Sequence, residues 1–145
     1  MNKVLIAYST QTGNTRDIAQ LIAEGCRFGG CQADVKSIQD IADPGELEGY
    51  AAIILGSATY NSRMMDEMEQ FLEILKSLNL EGKHGGAFGA YGWSGEAPDL
   101  IYKTMKESLK MILSSDSLRL KQAALPGGMK MAQDYGRSVA ALVSE

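Results

Sequence analysis

Short apolar segments alternate with segments of helical periodicity from one end of this chain to the other. Residues 51–55 form a continuous apolar run, and residues 3–8 form a similar run of mostly aliphatic side chains. Such runs are typical of strands that are buried on both faces of a parallel sheet. Between them, Ile18, Leu21 and Ile22 recur at the spacing of a helix with one buried face. This alternation predicts an α/β fold.

The composition of the strands predicts their order in the sheet. Five strands are expected, at residues 3–8, 33–36, 51–55, 85–89 and 118–121. Four helices are expected, at residues 14–26, 67–78, 98–112 and 131–143, with a turn or short helix at 40–49. The first, third and fourth strands are apolar or glycine-rich throughout, as central strands are, whereas the second and fifth alternate as edge strands can. We therefore predict a doubly wound, five-stranded parallel sheet of order 2-1-3-4-5 with helices on both faces.

Length and charge restrict the class of protein further. The 145 residues, 45% hydrophobic and 22% charged, fit a single globular domain over residues 1–145. No apolar run approaches the length of a membrane span or the core of a signal peptide, so we expect a cytoplasmic protein with no membrane partner. The net charge of −4 disfavours nucleic acid as a partner and permits docking to a basic protein surface. We expect a monomer.

The residues that ligate metals are too few for a metal site. Cys26 and Cys31 are interpreted as small apolar side chains, because His84 is the only histidine available to join them. Free thiols are consistent with a reducing compartment. We assign no metal ligand and no catalytic residue.

Ligands of such sheets bind at the carboxyl ends of the strands, where the strand order reverses. In the predicted order this point lies between the first and third strands. Three loops should therefore meet there, at residues 9–15, 57–65 and 90–97.

The first loop has the chemistry of a phosphate site. Its residues are Ser9, Thr10, Gln11, Thr12, Gly13, Asn14 and Thr15. They offer hydroxyls, a glycine and an amide at the start of a helix, where backbone N–H groups and the helix dipole favour an anion. The alternative is a helix start with several capping side chains, since Ser, Thr and Asn are all good caps. The length of the polar run favours phosphate.

The other two loops carry aromatic side chains. Tyr60 lies in the second loop, and Tyr91 and Trp93 lie in the glycine-rich third loop. Aromatic side chains can form the walls of a slot for a flat ring, and glycines allow a ligand to approach the backbone closely. Taken alone, each aromatic could equally pack on the protein surface. A phosphate pocket beside a planar slot fits flavin mononucleotide (FMN).

These motifs resemble those of the flavodoxin family, and the likeness extends over essentially the whole chain. The first loop is similar to the phosphate loop of flavodoxins. The segments around Tyr60 and Trp93 resemble more closely the flavodoxin-like domain of flavodiiron proteins. The resemblance implies short-chain architecture and FMN as cofactor. It also implies that the first loop holds the FMN phosphate and that the other two loops hold the ring, through Ser57, Ala58, Thr59, Tyr60, Asn61, Gly89, Ala90, Tyr91, Gly92, Trp93, Ser94, Gly95 and Glu96.

We expect a low-potential electron carrier that exchanges electrons with redox protein donors and acceptors. Acidic side chains beside the ring-side loops would lower the flavin potential, because they disfavour an anionic reduced ring; these are Asp66, Glu67, Glu96 and Asp99. The alternative is that they are ordinary solvated acids, which are favoured near helix N-termini in any case. One alternative is a flavin-dependent oxidoreductase of the quinone reductase, flavin reductase or protoporphyrinogen oxidase type. Another is the flavin module of a larger flavodiiron-type reductase, whose metal ligands this chain lacks. A third is an interaction module that has lost its ligand.

Overall fold

The computed structural model describes residues 2–9, 13–60, 63–90, 96–113, 117–120 and 127–143. Its strands are Lys3–Ser9 (β1), Gln32–Ser37 (β2), Ala52–Ser57 (β3), Thr59–Tyr60 (β4), Arg63–Met64 (β5), His84–Ala90 (β6), Ile112–Leu113 (β7) and Leu118–Leu120 (β8). Its α-helices are Asn14–Phe28 (α1), Asp66–Leu75 (α2), Glu96–Glu107 (α3) and Gly128–Val143 (α4). A short 3₁₀ helix at Pro44–Gly49 lies within the segment 40–49 that was predicted as a turn or short helix, and a second one, at Ile38–Asp40, overlaps that segment only at Asp40. None of the helices in these ranges has the length and apolar character needed to cross a membrane.

The parallel sheet has the predicted order. β1 lies between β2 and β3, and β6 pairs with the other side of β3. The fifth position differs from the prediction in one respect, because two short segments share it. β7 pairs with the start of β6 and β8 with its end. The fold class, a doubly wound sheet of order 2-1-3-4-5, is confirmed.

Helices cover both faces of the sheet, and alternate residues of each strand face opposite layers. In β1, Leu5 and Ala7 belong to the core under α2 and α3, whereas Val4 and Ile6 belong to the core under α1 and α4. All four side chains are fully buried. This burial on both faces explains why the central strands are continuous apolar runs.

The third helix begins and ends earlier than the sequence predicted. It runs from Glu96 to Glu107, and Lys110 then takes a positive φ of 56°. The helical spacing had placed Ile112 on the buried face, but Ile112 lies in β7 and is 51% exposed. Apolar spacing alone does not report where a helix ends, because a following strand residue can match the same spacing by chance.

Helices α1 and α4 approach each other at two glycines. A Cβ built on Gly25 would lie 2.0 Å from the carbonyl oxygen of Gln133, and one on Gly136 would lie 2.1 Å from that of Ile22. These distances are far inside van der Waals contact, so the two helix backbones touch directly. Only glycine permits this separation.

The two cysteines, which were predicted to pack as small apolar side chains, are buried and have free thiols. Cys26 lies near the end of α1, and Cys31 directly precedes β2. Burial, reinforced by the neighbouring Cys31, raises the pKa of the Cys26 thiol to about 12. The Cys26 side chain therefore stays protonated at neutral pH and packs as a small apolar group.

A tyrosine hydroxyl completes the hydrogen bonding of β6. β7 pairs with His84 and Gly85, and β8 pairs with residues 88–90. Between these stretches, the backbone N–H of Ala87 donates to the hydroxyl of Tyr135 at 3.0 Å. The hydroxyl takes the place of a carbonyl from a neighbouring strand.

Tyr135→Phe should lower the free energy of unfolding by about 1–3 kcal/mol, because it leaves a buried backbone donor without its acceptor. Urea denaturation measures this loss. Ser138→Ala is the control, since it removes an exposed hydroxyl that donates to the carbonyl of the same Tyr135. The control should change stability by no more than about 0.5 kcal/mol. Equal stability of Tyr135→Phe and the unmodified protein would contradict this role of the hydroxyl.

Candidate cofactor site

The carboxyl ends of β1, β3 and β6 meet at one edge of the sheet. β1 ends at Ser9 and β3 at Ser57, and these two residues are direct neighbours in the register. β6, which pairs with β3, ends at Ala90. All three loops predicted to hold a ligand depart from this edge, and β1 and β3 flank the reversal of strand order.

The first loop leads into the N-terminus of α1 at this edge. Gly13 occupies the N-cap position of α1 with φ 90° and ψ −11°, a left-handed conformation that glycine adopts at little cost. Glycine has no side chain, so the N-cap residue itself supplies no side-chain cap. The first bond of the helix runs from the N–H of Asp17 to the carbonyl of Gly13 at 3.0 Å. The positive end of the helix dipole at this start favours an anion.

Thr15, in the first turn of α1, carries a polar atom that lacks a partner. The residue is fully buried, and its Oγ1 makes no hydrogen bond to any part of the chain that the structure describes. A buried hydroxyl without a partner costs about 1–3 kcal/mol. A phosphate oxygen beside α1 would accept this hydrogen bond. The residues present therefore fit a phosphate group. Asn14 is exposed at the same end of the helix.

The side chain of Ser9 forms a hydrogen bond with the first turn of α2. The residue is 2% exposed, and its hydroxyl donates to Oε2 of Glu67 at 2.7 Å. The sulfur of Met65 lies 3.5 Å from the same Oγ. No local pattern in the sequence indicates this contact, because Ser9 and Glu67 are separated by 58 positions.

The second loop begins with a small hairpin that the sequence analysis missed. β4 and β5 pair antiparallel, Thr59 with Met64 and Tyr60 with Arg63. The Asn-Ser pair that separates them in the sequence is a weak hairpin signal. Ser57 anchors the hairpin, since its fully buried hydroxyl accepts from the N–H of Met65 at 3.0 Å and donates to the carbonyl of Ala58 at 2.9 Å.

The third loop is joined to the second at the start of α3. The hydroxyl of Thr59 accepts from the N–H of Ala97 at 3.1 Å. At the end of β6, a Cβ on Gly89 would lie 2.3 Å from the carbonyl oxygen of Ser57, so glycine is required there. Oε2 of Glu96 is buried and has no hydrogen-bond partner among the described residues. The two ring-side loops therefore form one connected unit.

Several predicted site residues lie outside the described ranges and stay predictions. They are Thr10, Gln11, Thr12, Asn61, Tyr91, Gly92, Trp93, Ser94 and Gly95. For Tyr60 the structure describes the backbone alone.

Shifted pKa values occur at a distance from this edge. Burial, followed by the hydrogen bond to Asp34, raises the pKa of Tyr50, whose hydroxyl donates to that carboxylate at 2.7 Å. Tyr50 lies two residues before the start of β3, at the amino end of the sheet. In α4, the hydrogen bond from Lys130 lowers the pKa of Asp134. These shifts arise from packing and surface pairing at the opposite end of the sheet and on α4.

A groove of about 430 Å³ lies between α2 and α3, and of its lining residues Met64 alone belongs to the three predicted loops. Its lining includes both charges, with Glu69 and Glu73 on α2 and Lys103 on α3. The site at the carboxyl edge is therefore identified by its polar atoms and loop anchors rather than by the size of a cavity.

Comparison with known proteins identifies the family. A family model described as flavodoxin matches residues 6–134. The chain belongs to the flavodoxin family. FMN is accordingly the cofactor of this flavodoxin. The resemblance inferred from the three loops is confirmed.

Individual relatives include a whole flavodoxin and much longer proteins. The solved structure of a flavodoxin from the domain Archaea is 33% identical, with a TM-score of 0.92, and the match covers 99% of both chains. Rubredoxin-oxygen oxidoreductase from Megalodesulfovibrio gigas is 33% identical over 69% of this chain and 26% of its own length. The putative diflavin flavoprotein A 6 from Nostoc sp. is 33% identical over 94% of this chain and 24% of its own. The chain spans about a quarter of these two relatives.

Proposed function

We propose that this flavodoxin is a low-potential electron carrier that passes electrons between redox proteins in the cytoplasm. In this proposal residues 1–145 form one FMN-binding domain. The buried Thr15 hydroxyl at the start of α1, which has no partner among the described residues, is the observation that carries the assignment, because a phosphate oxygen would satisfy it. The two free cysteines support a reducing compartment.

Each loop has a distinct part in holding the cofactor. When bound, FMN supplies reversible electron transfer, and the protein supplies binding, orientation and tuning of the potential. The first loop, residues 9–15, binds the phosphate, with Thr15 donating from its Oγ1 and α1 contributing its dipole. The second and third loops hold the ring. Ser57 and Thr59 act through the loops they anchor, since their hydroxyls bond Met65 and Ala97.

Acidic side chains set the electrostatics of the ring side. Asp66 and Glu67 lie in the first turn of α2, and Glu96 and Asp99 lie in that of α3. Asp99 is partly neutralised by Arg119 at 3.6 Å and accepts from the hydroxyl of Ser117 at 2.6 Å. Negative charge on these side chains disfavours added negative charge on the ring and lowers the potential. It also favours a partner with a basic docking surface.

FMN titration followed by electron transfer to a protein tests the proposal. We expect one FMN per chain and weak flavin emission in the bound state, because aromatic walls quench a stacked ring. Replacing a stacking side chain among Tyr60, Tyr91 and Trp93 by Ala should restore emission. The reduced holoprotein should reduce cytochrome c, a basic one-electron acceptor, at a rate that falls as salt increases. Absence of FMN binding would contradict the proposal. Bright emission from bound flavin would contradict the aromatic slot.

A second candidate is the flavin module of a larger flavodiiron-type reductase. This candidate is favoured by the two longer relatives, because the chain matches about a quarter of the length of each. A chain of this kind would transfer electrons to one dedicated metal-containing partner, and it would reduce cytochrome c only slowly. Rapid oxidation of NADH or reduction of quinone by the purified holoprotein alone would favour an enzyme with its own substrate instead.

A further inference from the structure

The only proton donor of the Ser9 side chain is directed to a carboxylate. Ser9 is the last residue of β1, and the first loop departs from it. Its hydroxyl lies 2.7 Å from Oε2 of Glu67, within the short range of hydrogen bonds to an ionised acceptor. A serine hydroxyl has one hydrogen, so it donates to one acceptor at a time. An anion bound by the first loop would have to compete with Glu67 for it.

The position of Glu67 is fixed by several contacts around the start of α2. The N–H of Met65 donates to Ser57, the neighbour of Ser9 across the sheet. The sulfur of Met65 lies 3.5 Å from Oγ of Ser9. The first turn of α2 is therefore held against the ends of β1 and β3, and Glu67 is part of that turn. The carboxylate remains exposed to solvent while its oxygen reaches the buried hydroxyl.

We propose that Glu67 is a built-in competitor of the FMN phosphate for the Ser9 hydroxyl, and that it weakens the retention of FMN. This inference rests on the proposed function of the first loop. Without cofactor, the carboxylate occupies the hydrogen-bond donor that a phosphate would use. With cofactor, the hydroxyl turns to the phosphate and leaves Glu67 beside an anion of charge close to −2. Lost hydrogen bonding and like-charge repulsion both oppose binding.

Glu67→Gln tests the proposal because it keeps the shape of the side chain and removes its charge. We expect FMN to bind about tenfold more tightly, measured by calorimetry at 0.15 M salt, where distant charges are largely screened. Riboflavin, which lacks the phosphate, should bind with unchanged affinity. This difference between FMN and riboflavin would not arise from a general change in folding or in the ring pocket.

Glu73→Gln is the matched control. It removes the same charge from the same helix, at an exposed residue that pairs with Lys76 at 2.8 Å. FMN affinity should change by less than about twofold. An equal gain from Glu73→Gln would overturn the proposal, because it would show an effect of net charge alone.

The double variant separates hydrogen-bond competition from repulsion. In a Ser9→Ala background, Glu67→Gln should tighten FMN binding by no more than about threefold, since no hydroxyl remains to be released. The same tenfold gain with and without Ser9 would overturn the competition. So would unchanged or weaker FMN binding by Glu67→Gln alone. Failure of the unmodified protein to bind FMN would instead overturn the proposed function, and this inference with it.

Discussion

Thr15→Val should weaken FMN binding by about ten- to hundredfold while leaving the cofactor-free protein equally or more stable. Valine has nearly the shape of threonine, so packing under α1 is retained. A hydrogen bond to a charged group contributes roughly 1.5–3 kcal/mol, which gives the expected loss in affinity. In the cofactor-free state the same hydroxyl is buried without a partner among the described residues, so removing it costs nothing there. Fluorescence titration and urea denaturation measure the two effects.

Thr15→Ser is the control for this prediction. It keeps the hydroxyl and removes a methyl group, so it should retain FMN affinity within a fewfold and lose some stability. Thr15→Val should therefore lower FMN affinity without lowering stability, whereas Thr15→Ser should lower stability with little effect on FMN affinity. Full FMN affinity in Thr15→Val would remove the main support for a phosphate at the start of α1.

Replacing either glycine between α1 and α4 by alanine should destabilise the fold by about 3 kcal/mol. A Cβ at Gly136 or Gly25 would overlap a backbone carbonyl of the facing helix, and no side-chain rotation relieves a clash with backbone. The helices must move apart, and the free-energy cost of this separation exceeds the gain of about 1 kcal/mol that alanine has over glycine in a helix. For a chain of this length the melting temperature should fall by roughly 6–12 °C.

Gly49→Ala is the control for the glycine contact. No atom lies within 4 Å of a Cβ at Gly49, and the residue is exposed. The change should alter stability by no more than about 0.5 kcal/mol. Thermal unfolding followed by circular dichroism compares the three variants. Stability of Gly25→Ala or Gly136→Ala equal to that of Gly49→Ala would contradict direct contact between the helix backbones.

The sequence by itself determined the layers of the fold and the edge of the sheet from which the three predicted loops depart. Burial on both faces requires continuous apolar runs, so residues 3–8 and 51–55 could be recognised as central strands. Periodicity located the four helices, and the order 2-1-3-4-5 then placed the loops at 9–15, 57–65 and 90–97 on one edge. The polar run from Ser9 to Thr15 could be interpreted chemically, because a helix start next to a buried strand favours an anion.

Only the tertiary structure decided how polar atoms pair across the chain. A hydroxyl can donate to or accept from any partner that the fold brings within reach. The bond from Ser9 to Glu67 and the bond from the N–H of Ala87 to Tyr135 therefore leave no periodic signal in the sequence. The internal use of the Ser57 hydroxyl likewise depends on where Met65 lies.

The same limit applies to close approach and to the ends of elements. Glycines inside helices are expected to weaken them, and the benefit of Gly25 and Gly136 exists only once α1 and α4 cross. The end of α3 at Glu107 and the sharing of the fifth sheet position by β7 and β8 depend on which partners β6 offers. Local patterns encode which face of each element is buried. The contacts made by that face depend on residues far away in the sequence.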